Sequence, residues 1–375
     1  MKAQVKTIAI VINTSWNIFN FRVGLLKALQ KDGYRIVAIA PHDEYSQKLE
    51  SLGFEYHNID INNKGTNPIE DMKLVWAFYR LYKHVKPDLA LHYTIKPNIY
   101  GTMGAWLAGV PVISNISGLG TVFLDHSVSS KVAHLLYKLA LKIPAKVFFQ
   151  NADDRALFID SKLVAANKTG LLPGSGIDTD QFVPVDNELT DSSFCFLFIA
   201  RLVKDKGLLE YVEAARILKV KYPDIQFAVL GAFYPGNPTA VTRDEIKNWE
   251  QEDTIEYLGT SNDVQSVISQ ADCVVLPSYR EGLSRVLLEA ASMARPIVTT
   301  DVPGCRDVVD DGVNGFLCKV KDTESLATKM EKMLQLGQEQ RIDMGKRGRE
   351  KVVKEFDEAL VIEKYQSAIK DILAP

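Results

Sequence analysis

Two glutamates separated by seven residues form the pattern in this 375-residue sequence that is most suggestive of chemistry. Glu281 lies in a predicted loop after an apolar run, and Glu289 lies in a helix predicted to begin near Ser284. Gly282 allows a ligand to approach the backbone closely, and the unpaired amides at a helix start favour anions. The segment therefore predicts an anion site flanked by two carboxylates that can accept hydrogen bonds from hydroxyl groups.

Two cations follow another apolar run. Arg201 comes just after the run at residues 194–199, and Lys206 comes five residues later, directly before Gly207. Two cations beyond a strand end can bind a diphosphate and stabilise the negative charge that grows as it leaves. Arg201 and Lys206 therefore indicate the leaving-group side of a site. The alternative is that these charges and the glutamates are solvated surface residues, since most charged side chains are exposed.

Short β-branched runs alternate with helical patterns along the chain, and this alternation predicts parallel sheets built from β–α–β units. Residues 7–150 form one such series and residues 194–336 form another. A segment rich in Gly, Pro and Asp, residues 170–191, separates the two series and is typical of a chain crossing between domains. The fold class is therefore predicted as α/β, with two doubly wound Rossmann-like domains.

We expect the first domain to span residues 1–170 and the second to span residues 171–356. The last segment, residues 357–375, has a helical apolar stripe and is expected to pack back onto the first domain. Ligands of doubly wound sheets bind beyond the carboxyl ends of the strands. Both domains should therefore direct their functional loops into a cleft that they share.

Several motifs in order resemble those of glycosyltransferase family 4, whose members have the GT-B fold. Glu281 and Glu289 match the two glutamates of the family, and Arg201 and Lys206 match its cation pair. Further matches are GSGIDTDQF at residues 174–182, VLGAFYPG at residues 229–236 and GCRDVVDDGVNGFL at residues 304–317. Two glutamates at this spacing are a weak signal alone, but the ordered motifs cover nearly the whole chain.

The resemblance implies retaining transfer of a sugar from a nucleotide diphosphate donor, expected to be a UDP-sugar. It implies catalytic roles for Glu281, Arg201, Lys206 and His92. It also implies donor contacts from a further set of residues, namely Gly231, Gly282, Leu283, Ser284, Glu289 and Ser15. No metal or other cofactor is expected, because the DxD pattern of residues 178–180 lies inside the junction motif, where a structural role is favoured.

The first domain departs from many relatives, because the loop predicted after its first strand, NTSWNIFNFR at residues 13–22, has no glycine. HYTIKPNIYG at residues 92–101 and ISGLGTVF at residues 116–123 instead resemble a bacterial subgroup that builds lipid-linked surface polysaccharides of capsule, O-antigen or N-glycan type. That resemblance implies an undecaprenyl-diphosphate saccharide as acceptor. The residues implied on the acceptor side are Asn17, Lys96 and Asn98. The role of His92 stays open, because Thr94 stands where many relatives have a second histidine.

The charge of the chain is asymmetric. Residues 1–170 carry 20 Lys and Arg against 13 Asp and Glu, whereas the remainder carries 24 against 34, so the net charge of −3 does not suggest nucleic-acid binding. The segment 129–146 places Lys131, Lys138 and Lys142 among apolar residues, a pattern typical of helices that rest on anionic membranes. We therefore expect a cytoplasmic protein on the inner face of the membrane, although an ordinary surface helix remains the alternative.

Two other functions fit the same nucleotide site. One is a UDP-sugar 2-epimerase of GT-B fold, and the other is a non-catalytic nucleotide-sugar-binding protein. Arg201 and Lys206 argue against the second, because a binding protein needs no leaving-group cations. A Rossmann dehydrogenase would need GxGxxG after the first strand, and the sequence has none there.

Overall fold

The computed structural model describes residues 5–62, 67–119, 128–185 and 194–374. The chain divides into two compact units. One unit consists of Met1–Ser175 together with Glu358–Pro375, and the other consists of Gly176–Asp357. None of the helices in the described ranges is long and apolar enough to cross a membrane.

The first unit is built on a seven-stranded parallel sheet. Its strands are β1 (Thr7–Val11), β2 (Arg35–Ala40), β3 (Glu55–Asn58), β4 (Leu89–Tyr93), β5 (Val112–Ile116), β6 (Lys146–Phe149) and β7 (Thr169–Leu171). The strand order is β3-β2-β1-β4-β5-β6-β7, so the direction of winding reverses between β1 and β4. β1, β4 and β5 are buried at every residue, as expected for parallel strands covered on both faces.

Helices cover both faces of this sheet. They are α1 (Ser15–Lys31), α2 (Ser46–Ser51), α3 (Pro68–Val85), α4 (Thr102–Ala108), α5 (Val128–Ala140) and α6 (Ala152–Asp160). A π-helical turn at Pro97–Gly101 leads directly into α4. Residues 97–108 are therefore helical throughout, and their first turn is wider than that of an α-helix.

The start of α1 corrects the sequence prediction. The sequence predicted a loop over residues 13–22, whereas the helix begins at Ser15. Thr14 is the N-cap, and its Oγ1 accepts a hydrogen bond of 3.2 Å from the Asn17 N–H. Because this cap satisfies one of the unpaired amides of the first turn, the helix can start without a glycine-containing loop.

The second unit is built on a six-stranded parallel sheet. Its strands are β8 (Cys195–Ile199), β9 (Gln226–Leu230), β10 (Glu256–Tyr257), β11 (Cys273–Leu276), β12 (Ile297–Thr300) and β13 (Gly315–Cys318). Its helices are α7 (Leu208–Lys221), α8 (Arg243–Gln251), α9 (Val264–Ser269), α10 (Arg285–Ser292), α11 (Thr323–Gln335) and α12 (Gln338–Glu355). The strand order β10-β9-β8-β11-β12-β13 reverses between β8 and β11.

The C-terminal helix α13 (Glu358–Leu373) belongs to the first unit. Val361, Tyr365 and Ile369 are buried in the same apolar cluster as Leu25 and Leu26 of α1. The Tyr365 hydroxyl accepts a hydrogen bond of 2.9 Å from the Asn115 side-chain amide at the end of β5. The last helix is therefore part of the core that supports the strand ends of the first sheet.

Candidate functional site

The carboxyl ends of β8 and β11 lie side by side at the reversal point of the second sheet. The loop after β8 carries Arg201 and Lys206, and the loop after β11 carries Glu281. We call these two loops, residues 200–207 and 277–284, the second switch site. Ligands of doubly wound sheets bind at such a reversal point, because the loops on its two sides lead away in opposite directions.

Lys206 and Glu281 form an ion pair within this site. The distance from Lys206 Nζ to Glu281 Oε1 is 2.5 Å, and the side chains are only 19% and 13% exposed. Salt screens a partly buried pair much less than a surface pair. The structure therefore brings together a cation and a carboxylate that the sequence placed 75 residues apart.

Two glycines allow the loops of the site to touch backbone to backbone. Gly207 has φ 76°, and a Cβ added there would lie 2.1 Å from the Pro277 carbonyl oxygen. Gly304 has φ 79°, and an added Cβ would lie 2.5 Å from the carbonyl oxygen of Glu281. The Glu281 N–H also donates to the Pro303 carbonyl at 3.2 Å. The backbone of Glu281 is therefore fixed by a loop that the sequence matched as a motif without naming a role for it.

Arg201 is exposed and takes a different position from Lys206. Its guanidinium carbon lies 4.9 Å from the centre of the Tyr234 ring, a cation–π distance. Tyr234 belongs to the loop after β9, and Thr239 of the same loop donates a hydrogen bond of 3.0 Å to Asp205 Oδ2. The loops after β8 and β9 are therefore joined beside the ion pair, through Tyr234 of the motif at residues 229–236 and through Thr239, which lies outside the matched motifs.

The start of α10 changes one predicted donor contact. The Ser284 N–H donates to the Gly304 carbonyl at 3.0 Å, so this amide has a partner within the protein, and the predicted donor contact of Ser284 stays a prediction. Ser284 is nevertheless the N-cap of α10, and its side chain makes no capping hydrogen bond. An anion at this end of the helix would therefore meet the amides of the first turn, from Arg285 onward.

Glu289 lies on α10 and is buried, with 8% of the residue exposed. Its Oε1 accepts a hydrogen bond of 3.0 Å from Arg285 Nε, one turn earlier. Burial raises the pKa of the Glu289 carboxyl, and the Arg285 guanidinium partly opposes this rise. Arg285 was not singled out in the sequence, and the predicted donor contact of Glu289 stays a prediction.

Two of the other predicted donor residues of the second unit, Gly231 and Leu283, have packing roles in the structure. The Gly231 N–H donates to the Gly259 carbonyl at 2.8 Å, and a Cβ at Gly231 would lie 1.7 Å from the Ala200 carbonyl oxygen. Leu283 is partly buried against the core of the unit. Gly231 is therefore required where the chains after β8 and β9 meet, and its contact with a donor stays a prediction, as do those of Gly282 and Leu283.

His92 ends up in the interior of the first unit. The residue is 0% exposed, and its Nε2 and Nδ1 lie 2.8 Å from the Tyr82 hydroxyl and 3.0 Å from Thr102 Oγ1. Burial lowers the pKa of His92 to about 3, so the ring is neutral at physiological pH. The structure contradicts a catalytic role for His92, because both ring nitrogens are occupied and no surface is left for a substrate.

The residues predicted on the acceptor side lie close to the reversal point of the first sheet. Lys96 Nζ lies 2.7 Å from Asp71 Oδ1, and Tyr100 donates a hydrogen bond of 2.7 Å to Asp71 Oδ2. Asn98 is buried, and its side-chain amide donates to the Asn115 carbonyl at 2.8 Å. Asp71 carried no sequence signal, because an acidic residue in the first turn of a helix is common.

A cavity of about 250 Å³ lies beside these residues. We call residues 12–14 and 94–98, which follow β1 and β4, the first switch site. Asn13, Thr94, Lys96 and Asn98 contribute to the wall of the cavity from this site. Thr94 has φ 63°, which is unusual for a β-branched residue and is a strain often found at functional sites.

Ser15 and Asn17 lie in the first turn of α1 rather than in a loop. Ser15 is 0% exposed, and its hydroxyl donates to the Pro41 carbonyl at 3.0 Å and lies 3.0 Å from the Ser46 hydroxyl. This burial contradicts a donor contact by the Ser15 side chain. Asn17 is half-buried, and its role on the acceptor side stays a prediction.

The DxD pattern at residues 178–180 forms a turn. Asp178 Oδ1 accepts hydrogen bonds of 3.0 and 2.9 Å from the N–H groups of Asp180 and Gln181, and Thr179 donates to Asp357. Within the described ranges, no three His, Cys, Asp or Glu side chains are grouped so as to hold a metal ion. The pattern therefore stabilises the junction segment.

Helix α5 presents an exposed apolar stripe. Val132, Leu135 and Leu139 are 52%, 58% and 49% exposed, and Lys138 and Lys142 are exposed nearby. The side chain of Lys131 lies outside the described residues, as do residues 120–123 of the predicted ISGLGTVF motif. An apolar stripe beside lysines is the composition of a membrane-surface helix.

Two family models match consecutive parts of the chain. Residues 7–151 match the model described as "Glycosyl transferase 4-like", and residues 181–351 match the model described as "Glycosyl transferases group 1". These matches agree with the two sheets, because each model covers most of one of them.

Characterised relatives match along most of the chain. It is 26% identical over 365 residues to the N,N'-diacetylbacillosaminyl-diphospho-undecaprenol alpha-1,3-N-acetylgalactosaminyltransferase of Campylobacter jejuni, covering 93% of this chain and 94% of the relative. It is 28% identical over 325 residues to the UDP-Gal:alpha-D-GlcNAc-diphosphoundecaprenol alpha-1,3-galactosyltransferase of Escherichia coli, covering 81% and 79%. Anabaena HepE in complex with UDP matches with a TM-score of 0.78 at 18% identity, covering 98% of this chain and 100% of HepE.

Two doubly wound parallel sheets in one chain, together with these structural neighbours, define an α/β protein of the GT-B class. The chain belongs to the glycosyltransferases that combine a glycosyl transferase 4-like domain with a group 1 domain. The resemblance found in the sequence is thus confirmed for the family, the fold class and the enzyme class.

Proposed function

We propose that this enzyme transfers a sugar from a UDP-sugar to an undecaprenyl-diphosphate-linked saccharide, with retention of configuration and without a bound metal. The observation that carries the proposal is the Lys206–Glu281 pair at the reversal point of the second sheet. The relatives from Campylobacter jejuni and Escherichia coli support the acceptor class, because their names state diphosphoundecaprenol-linked acceptors. HepE supports the nucleotide, because its structure contains UDP.

The cations of the second switch site are assigned to the diphosphate. Lys206 and the exposed guanidinium of Arg201 would contact the phosphate oxygens, and the first-turn amides of α10 would add a third group of donors. As the bond between sugar and phosphate breaks, negative charge grows on the UDP side. Fixed cations at that position stabilise the transition state more than the ground state, which is the condition for faster chemistry.

Glu281 is assigned to the donor sugar. Its backbone is held by the loop that contains Pro303 and Gly304, so the carboxylate stays next to Lys206 and therefore next to the phosphate that the sugar carries. An ionised carboxylate only accepts hydrogen bonds, and sugar hydroxyls donate them. The charge of Glu281 also suits the positive charge that develops on the sugar ring as the leaving group departs.

The first domain is assigned to the acceptor, and α5 to the membrane surface that carries it. The basic balance of residues 1–170 and the exposed stripe of Val132, Leu135 and Leu139 support this assignment. It is tested by sedimentation with vesicles of phosphatidylcholine alone and with 30% phosphatidylglycerol, a composition for which roughly 1 kcal/mol per lysine is expected. Leu135→Ser with Leu139→Ser should weaken binding to the anionic vesicles, and unchanged binding would contradict the role of α5.

The reaction is tested by incubating the protein with UDP-, GDP- and ADP-sugars, with and without a polyprenyl-diphosphate saccharide, while nucleotide release is measured. The expected result is UDP release that requires the acceptor, with the same anomeric configuration in donor and product by NMR. Acceptor-independent UDP release with an epimerised sugar would instead identify a 2-epimerase. Nucleotide-sugar binding without any turnover would identify a binding protein.

A further inference from the structure

The Lys206–Glu281 pair joins two groups that the proposed function assigns to different parts of one donor molecule. Lys206 is assigned to the diphosphate and Glu281 to the sugar, yet in this structure each is the partner of the other at 2.5 Å. Both side chains are more than four-fifths buried. Removing one partner from such a pair is costly, because the other charge is left with little water around it.

Resting on the proposed function, we propose that this pair makes the site discriminate the UDP-sugar donor from free UDP. If UDP binds alone, Lys206 must leave Glu281 for the phosphates. Glu281 is then a partly buried carboxylate that has lost its cation and faces the negative diphosphate, an unfavourable arrangement. If the diphosphate carries a sugar, the sugar hydroxyls donate hydrogen bonds to Glu281 and replace the contact with Lys206.

The same exchange favours release of the product. After transfer, the sugar has left with the acceptor, and UDP remains without the hydroxyls that satisfied Glu281. The carboxylate then competes with the diphosphate for Lys206, and re-formation of the ion pair weakens UDP binding. Product release limits turnover in many enzymes, so such competition acts directly on the catalytic rate.

The loops around the pair allow this exchange to occur through side chains alone. The backbone of Glu281 is fixed by Pro303 and Gly304, and Gly207, which follows Lys206, is packed against Pro277. Long side chains such as Lys and Glu have several staggered rotamers, whereas these backbone contacts hold the loops in place. The pair therefore acts as a replaceable contact within a rigid frame.

The test measures the dissociation constants of UDP and of UDP-galactose for the full-length protein by titration calorimetry. Glu281→Gln keeps the shape of the side chain and removes its charge, so it should bind UDP roughly tenfold more tightly than the wild type. Binding of UDP-galactose should gain less, so the preference for the sugar-bearing nucleotide should fall. Glu213→Gln, which removes an exposed carboxylate paired with Arg216 on α7, is the matched control and should change neither constant.

A double-mutant cycle separates the pair from general electrostatics. In a Lys206→Met background, Glu281→Gln should no longer tighten UDP binding, because no cation is left to be released. Equal UDP affinity of the wild type and Glu281→Gln, with melting temperatures unchanged, would overturn the inference. So would a gain that persists in the Lys206→Met background. Failure of the proposed function is a different result, in which the wild type binds no UDP and turns over none of the UDP-sugars.

Discussion

The two sheets have the same strand order up to their sixth strands. Each has a lysine–carboxylate pair near its reversal point, but the two pairs differ in their other hydrogen bonds. At the second switch site, Glu281 is in hydrogen-bond contact with Lys206 and with no other described side chain, so the carboxylate has capacity for a ligand. At the first, both oxygens of Asp71 are occupied, one by Lys96 and the other by Tyr100. Both ion pairs are formed, but within the described residues the Glu281 carboxylate has one hydrogen-bonded oxygen, whereas the Asp71 carboxylate has two.

This difference teaches that topology offers two places for a ligand and that the loop residues decide how each is used. A buried polar network in which every group has a partner adds rigidity, whereas an incomplete one can exchange partners with a ligand. We infer that the second sheet carries the charge chemistry of the donor. Beside the first switch site, both carboxylate oxygens of Asp71 are paired, whereas the buried side-chain oxygen of Asn98 in the cavity wall has no hydrogen-bond partner in the part of the chain that the structure describes.

Removal of Lys206 should have the largest effect. Lys206→Ala is expected to lower kcat/KM for transfer by about 10²- to 10³-fold, the range for loss of one preorganised group that stabilises transition-state charge. The measurement is steady-state transfer at fixed acceptor concentration. Lys204→Ala, in the same turn but outside the pair, is the matched control and should stay within about twofold of the wild type.

Lys96→Ala sharpens the comparison between the sites. The substitution leaves Asp71 with one partner, so the free energy of unfolding should fall by about 1 to 3 kcal/mol. The KM for the donor should stay close to that of the wild type. An increase of donor KM in Lys96→Ala as large as that in Lys206→Ala would contradict the different roles of the two sites, since both ion pairs would then act on the donor.

After Lys206→Ala, the largest loss of transfer is expected for Gly304→Ala, because a Cβ there would meet the Glu281 carbonyl oxygen at 2.5 Å. The loop must shift, so we expect at least about a tenfold loss of transfer and roughly 1 to 3 kcal/mol of destabilisation. Gly312→Ala is the matched control, because Gly312 also has φ 79° but no atom within 4 Å of its added Cβ. Equal losses in the two variants would show that backbone strain alone is responsible and that Gly304 does not position Glu281.

Much of the second switch site could be predicted from the sequence. Residues Arg201, Lys206 and Glu281 follow apolar strands whose order is set by β–α–β connections, so their placement at one edge follows from topology. The details of the site could not be predicted, because they depend on contacts between segments distant in sequence. The hydrogen bond from the Ser284 N–H to Gly304 is one such contact.

The elements missed in the sequence share a physical reason. Strands β3, β7, β10 and β13 are short edge strands, which need only a few buried residues. Helices α6, α8 and α12 carry many charges and bury few residues, so their apolar stripes are weak. His92 was given a role that its position does not support, because its ring is buried. A histidine at a strand end has the same sequence pattern whether its ring points outward or inward.

Because His92 is buried in its neutral form, the free energy of unfolding should depend on pH. The pKa of folded His92 is lowered to about 3, below its unfolded value near 6.5, so the unfolded chain binds the proton first as the pH falls. Stability should therefore decrease below about pH 6.5, by at most about 1.4 kcal/mol per pH unit. His92→Gln should reduce this slope.

The measurement is urea unfolding between pH 7.5 and 5.5, followed by tryptophan fluorescence. Three of the four tryptophans, Trp16, Trp76 and Trp106, belong to the first unit, so the signal reports mainly on that unit. The pH dependence of kcat should show no step that disappears in His92→Gln. Such a step would show that His92 takes part in catalysis. Both sheets would then contribute a charged or titratable group to the reaction.

The smallest expected effect is that of metal removal. If Arg201 and Lys206 supply the positive charge at the diphosphate, excess EDTA should change the transfer rate by less than about twofold, because these cations cannot be chelated away. The control is Lys206→Ala with added Mg²⁺ or Mn²⁺, in which the cation of the site is missing. Loss of wild-type transfer in EDTA, restored by one of these ions, would contradict a metal-independent donor site. It would also mean that Lys206 alone does not explain why the second switch site, and not the first, binds the donor diphosphate.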